Sequence, residues 1–141
     1  MDNLIIKRIW QDEDIFEIRI TAESQQVQAY TDSYTTEHNI LELSEKLITY
    51  SGLPDDDFIW ENGAKGDAST PYTSLRFTAK DQCGHIQIEV YLEIDDGAPL
   101  SRHHCCYFIA AEPGLLNQFG QSLKQINRPV VGTEIALNPK A

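Results

Sequence analysis

From residue 84 to residue 95 apolar and polar positions alternate without a break. Ile86, Ile88, Val90, Leu92 and Ile94 point one way, and His85, Gln87, Glu89, Tyr91, Glu93 and Asp95 point the other. A period of two is the signature of a half-buried strand with one wet face. Residues 74–80 alternate too, with Leu75, Phe77 and Ala79 inward, and Asp81-Gln82-Cys83-Gly84 supplies a hairpin turn between the two runs. Residues 103–112 read as a third strand after a loop at 96–100. In the first half, residues 15–22 place Phe16, Ile18, Ile20 and Ala22 inward, and residues 26–34 and 4–10 read as two further strands.

Two segments change period. Ile40, Leu43, Leu47 and Ile48 fall on one face of a helix within residues 37–52. Asn39 with Glu42 makes a capping box there, Thr36 is a competing start, and Gly52 is the stop. Leu115, Leu116, Phe119, Leu123 and Ile126 form a second stripe, opened by Pro113 and closed by Pro129. Gly120 weakens this helix by about 1 kcal/mol relative to alanine, and suits close packing on a sheet.

Each half therefore reads as three strands followed by one amphipathic helix, a βββα duplication. The expected fold is α+β: a mostly antiparallel sheet of six or seven strands with two helices packed on one face. The 141 residues make one domain, with pseudo-halves 1–52 and 72–128 joined by loop 53–71. Phe58, Ile59 and Trp60 anchor that loop, with one helical turn after Asp55–Asp57, and residues 62–70 read as mobile. The C-terminal residues 129–141 add a short edge strand and then fray.

Charge narrows the partners. Twenty-two acidic side chains against 11 basic ones give a formal net charge of −11. That sign disfavours nucleic acid and anionic membranes, and suits either plain solubility or a basic protein partner. The run Leu4-Ile5-Ile6 is shorter than a signal h-region and nothing reaches bilayer length. With three cysteines, an odd number, the expected location is cytoplasmic.

The segment RHHCCYF, residues 102–108, is the richest in ligating atoms. On a strand His103 and Cys105 share one face while His104 and Cys106 share the other, so at most two can meet one ion. With Cys105 set opposite Tyr91 in the hairpin, Cys83 lies about 26 Å along the sheet. Neither a metal nor another cofactor is expected. Adjacent cysteines whose side chains diverge do not make a redox pair. There is no nucleophile elbow and no P-loop, since Asp67 follows Lys65-Gly66 where a hydroxyl residue would be needed. Glu89, Glu93 and Asp95, with His85 and Tyr91, read as a solvated strand face rather than as acid–base machinery.

Those residues read better as part of a docking surface. Tyr91 and Tyr107 are placed near one another on the exposed face, beside Glu89 and Glu93. Asp55, Asp56, Asp57, Trp60 and Glu61 join them from the long loop, with Tyr72 beside it, and Trp60 reads equally as an anchor of the loop itself. Two other readings stand beside this one. A small-molecule site or enzyme would use a pocket near Tyr91, His103 and Cys105. A structural protein would pair as a homodimer through an open sheet, in place of a monomer.

The order of parts in the second half, from the residue 84–95 strand to the helix carrying Leu116, Phe119 and Leu123 after Phe108, resembles small acidic bacterial immunity proteins. These are the WapI-like proteins of polymorphic toxin systems. The resemblance is one of element order, and no functional residue is carried over. It implies a protein that binds one basic toxin domain and blocks its active site, without catalysis or cofactor.

Overall fold

The computed structural model describes residues 2–67, 70–95, 97 and 103–139. Three strands open the chain: β1 (Asn3–Gln11), β2 (Phe16–Glu23) and β3 (Gln28–Thr35), followed by helix α1 (Glu37–Ile48). A 3-10 turn at Pro54–Asp56 leads into β4 (Phe58–Asn62), β5 (Thr73–Ala79), β6 (Ile86–Ile94) and β7 (His103–Ala111). Helix α2 (Pro113–Leu123) and a short β8 (Glu134–Ala136) close the fold. The expected meander of three strands and a helix thus occurs in each half. Two strands are added: β4, at residues expected to form a helical turn and anchor, and β8, the expected edge strand.

The fold is α+β, but the strands form two antiparallel sheets of four rather than one sheet of six or seven. The orders are β3-β2-β1-β8 and β4-β5-β6-β7. Side-chain chemistry at the seam explains the split. The inward positions of β3 carry hydroxyls, and these reach across to backbone instead of continuing a ladder. Thr31 Oγ1 donates to the Glu93 carbonyl at 2.7 Å, and Ser33 Oγ donates to the Pro71 carbonyl at 2.9 Å. Asn62 Nδ2 adds a bond to the Tyr34 carbonyl at 3.1 Å. Buried polar groups must find partners, and here the partners hold one sheet to the other.

Both sheets turn an apolar face to one shared core. Leu4, Ile6, Ile18 and Ile20 come from the first sheet and Leu75, Phe77, Ile88 and Val90 from the second, all fully buried with the helix residues Leu43 and Leu116. Thr36 caps α1, its Oγ1 accepting from the Asn39 amide at 3.2 Å. Asn39 is therefore not the cap, and its side chain donates to Asn62 Oδ1 at 2.7 Å instead. The helix ends at Ile48, short of Gly52. Gly120 does permit a close approach, although to α1 and not to a sheet: a Cβ there would lie 2.8 Å from the Ile48 nitrogen. Ser44 Oγ seals the crossing by donating to the Gly120 carbonyl at 2.6 Å.

The end of the sequence and most of the loop expected at 96–100 lie outside the described residues. The 62–70 loop, expected to be mobile, is tied where it is described. The Ala64 amide donates to the Thr70 carbonyl at 3.0 Å and the Asp67 amide to the Ala64 carbonyl at 3.1 Å. Among the described residues no helix is long and apolar enough to cross a membrane.

Candidate functional site

Register decides what the outer face of the second sheet displays. Arg76 pairs with Glu89 and Glu89 with Phe108; Ser74 pairs with Tyr91 and Tyr91 with Cys106; Glu93 pairs with His104. Because pairing is antiparallel, each row shares a face. Rings gather at one end. Tyr91 lies 5.8 Å from Tyr72 and 5.6 Å from His104, the second pair stacked. Tyr72 Oη donates to Glu61 Oε2 at 2.5 Å. Burial and that carboxylate push the Tyr72 hydroxyl up to about 12, so it stays a proton donor. Burial and Glu93 raise Tyr91 in the same way.

The loop after β4 folds back over this end. The Gly66 amide donates to Glu93 Oε1 at 2.9 Å, and the Lys65 ammonium sits 5.1 Å from the centre of the Tyr91 ring. Gly63 makes the reversal possible: its φ is +84°, and a Cβ there would lie 2.3 Å from the Pro71 carbonyl oxygen. The result is an acid-rimmed aromatic seat that already holds one cation of its own chain.

The candidate docking residues do not all meet here. Glu61, Glu89 and Tyr91 share the outer face as expected. Glu93 is on the same side but 5% exposed, its carboxylate used to hold the loop. Tyr107 is on the opposite face: it pairs with inward Val90, and its Oη donates to the Ala22 carbonyl at 2.5 Å. The pairing is one residue from the expected one, with Cys105 opposite Leu92 and Cys106 opposite Tyr91. A slip of one exchanges the two faces of a strand. Trp60 is a core anchor, 3% exposed, with its Nε1 donating to the Asn39 carbonyl at 3.0 Å. Asp56 and Asp57 serve their own loop: Asp56 Oδ2 accepts from the Ser51 amide at 2.7 Å and Asp57 Oδ1 from the Ala79 amide at 3.0 Å. Asp55 is exposed in the 3-10 turn, away from the rings in sequence.

The same register separates the parts of the alternative pocket. Tyr91 faces out, whereas Cys105 and His103 pair with Leu92 and Ile94. The sheet stands between the tyrosine and the other two. All three cysteines are free, and burial raises both Cys105 and Cys106, with Cys106 adding to the first and Glu89 to the second. Thiols shifted this way are poor nucleophiles and poor metal ligands. Among the described residues no group of three or more His, Cys, Asp and Glu could hold a metal ion.

Tyr72, expected beside the long loop, joins the seat; His104 and Lys65 complete it and were not in the expected docking set. His104 was expected on the face opposite Tyr91, because the expected pairing set Cys105 and not Cys106 beside that ring. Lys65 had no signal, because only the closed loop brings it to Tyr91. Comparison with protein-family models, curated proteins and solved structures found no match.

Proposed function

We propose that this chain is a non-enzymatic protein-binding module that docks a basic partner on the outer face of its second sheet. The observation that carries the reading is Lys65 over Tyr91, bordered by Glu61 and Glu93. An intramolecular lysine marks where a partner's lysine or arginine would be received, and Tyr72 and His104 extend the aromatic area around it. The net charge of −11 favours a basic partner and speeds its encounter. The resemblance in element order makes a toxin domain the partner class, neutralised by occupation of its active site. Three free cysteines fit a cytoplasmic location.

The test begins with the product of the neighbouring gene, expected to be a basic protein. Co-expression with the chain is expected to relieve its toxicity, and the purified pair is expected to bind in a calorimeter. Tyr91→Ala combined with Glu61→Gln is expected to weaken binding at least about tenfold, the loss of one well-formed cation contact with its carboxylate. Unchanged affinity in that variant would overturn the docking face. Absence of both protection and binding would overturn the toxin reading.

A further inference from the structure

The outer face of the first sheet has a different chemistry. Its register builds rows across β1, β2 and β3: Trp10–Glu17–Tyr34, then Lys7–Arg19–Asp32, then Ile5–Thr21–Tyr30. Trp10 and Tyr34 stand on strands separated by β2, yet their rings meet edge to face at 5.8 Å. The residue between them in the row is Glu17. The neighbouring arginine is already committed. Arg19 Nε and Nη2 donate to the two carboxylate oxygens of Asp32 at 2.8 and 3.0 Å, and its guanidinium lies 4.6 Å from the Tyr30 ring centre. Glu17 makes no hydrogen bond or ion pair among the described residues, and burial together with Asp32 holds its carboxyl above the ordinary range.

An open cleft of about 690 Å³ begins at Glu17 and runs along β3. Tyr30 and Tyr34 stand on one wall, and Pro71 and Asp95 on the other. Consecutive residues 28–32 line it, so the edge of β3 is presented as well as one face. β3 is a terminal strand of its sheet: among the described residues no strand pairs with its outer side, which side chains of Thr31, Ser33 and Asn62 tie to the second sheet.

We propose that this cleft receives an extended basic segment of a partner protein, with one arginine or lysine side chain seated on Glu17 beside Tyr34, and Tyr30 lining the cleft two rows further on. Each part of the occupant follows from a wall of the site. A terminal strand offers backbone groups to an extended chain and to no other conformation. Tyrosine faces attract a guanidinium or ammonium, and a carboxylate without a partner gains a charge-assisted hydrogen bond. A neutral or acidic segment would cover Glu17 without compensating it, at a cost in desolvation. The site lies on the other sheet from the Tyr91 seat, so it stands or falls independently of the function proposed above.

The probe is hexa-arginine, added to the full chain and followed by calorimetry and by amide shifts. The largest shifts are expected at Glu17 and from Tyr30 to Tyr34, with a change in Trp10 fluorescence. Glu17→Gln, isosteric and neutral, is expected to weaken binding about tenfold, as loss of a charge-assisted bond would. Tyr30→Ala is expected to weaken it about threefold. Glu45→Gln, an exposed charge on α1, is expected to leave it within about twofold. Equal losses in Glu17→Gln and Glu45→Gln would reveal diffuse attraction to a chain of net charge −11 and overturn the proposal. Shifts centred on Tyr91 and Glu61, or no binding at millimolar peptide, would overturn it as well.

Discussion

The two sheets share strand number and meander, yet they finish their outer faces in opposite ways. The second sheet covers its aromatic end with its own chain: Gly66 is bonded to Glu93, and Lys65 lies over Tyr91. The first sheet leaves Trp10, Tyr30 and Tyr34 at 43%, 52% and 43% exposure, with its one nearby guanidinium locked to Asp32. Each face holds a cation of its own over a tyrosine ring, but the first also leaves a carboxylate, Glu17, with no hydrogen bond or ion pair among the described residues. Similar aromatic content leads to different surfaces because a glycine-permitted loop reversal follows β4, whereas β3 runs directly into α1.

The tryptophans separate the faces most sharply. Trp60, buried beneath the second sheet and bonded to the Asn39 carbonyl, is expected to cost about 3–5 kcal/mol when replaced by alanine. Trp10→Ala on the open face is expected to cost no more than about 1 kcal/mol. Urea denaturation of both variants measures the difference. Comparable losses would mean that the first face is as much a part of the core as the second.

Next in size is the loop. Gly63→Ala places a Cβ against the Pro71 and Thr70 carbonyl oxygens at a positive φ, and is expected to destabilise by about 2–3 kcal/mol. The same change should free the Gly66 amide, so its hydrogen exchange should accelerate well beyond that of the β5–β6 ladder. Lys65→Ala is gentler. It removes one exposed cation–π contact, an expected loss of about 0.5–1 kcal/mol, and uncovers the Tyr91 ring.

How much of this was legible follows the range of the interaction. Alternation in residues 84–95 and 15–22 is local, and it placed Ile88 inward and Glu89 outward correctly because one pleat decides both. The partition into two sheets was not local. It rests on Thr31 and Ser33 reaching Glu93 and Pro71, some 60 and 40 residues away, and a hydroxyl in a strand does not announce its partner. The docking face was half legible. Tyr91, Glu89 and Glu61 needed only their own strands, but Tyr107 needed the register of the β6–β7 pair, where one residue of slip moves it to the core side. Tyr30 and Tyr34 were visible as same-face residues in the run 26–34. Their meaning required Trp10, which a register shift between Arg8 and Trp10 brings onto that face.

The smallest effect bears most directly on the open face. Glu17 has its carboxyl raised by burial and by Asp32, while Arg19 on the same face acts in the opposite sense; Lys7 is the other charge in the adjoining row. A carboxyl raised on folding binds its proton more tightly in the native state. The wild type is therefore expected to lose stability relative to Glu17→Gln as pH rises from the ordinary carboxyl range through the raised value, and to lose no more above it. The difference should stay within about 0.5 kcal/mol, since the group is only partly buried. The second sheet offers the opposite sign at Asp81, in the turn before β6. A hydrogen bond from His85 and the Cys83 amide lower that carboxyl, so its contribution is present above the ordinary range and lost as pH falls through the lowered value. Denaturation of Glu17→Gln and Asp81→Asn across the acid range would show opposed slopes against the wild type. A basic segment bound in the cleft should erase the Glu17 slope alone, because it pairs with Glu17 and not with Asp81.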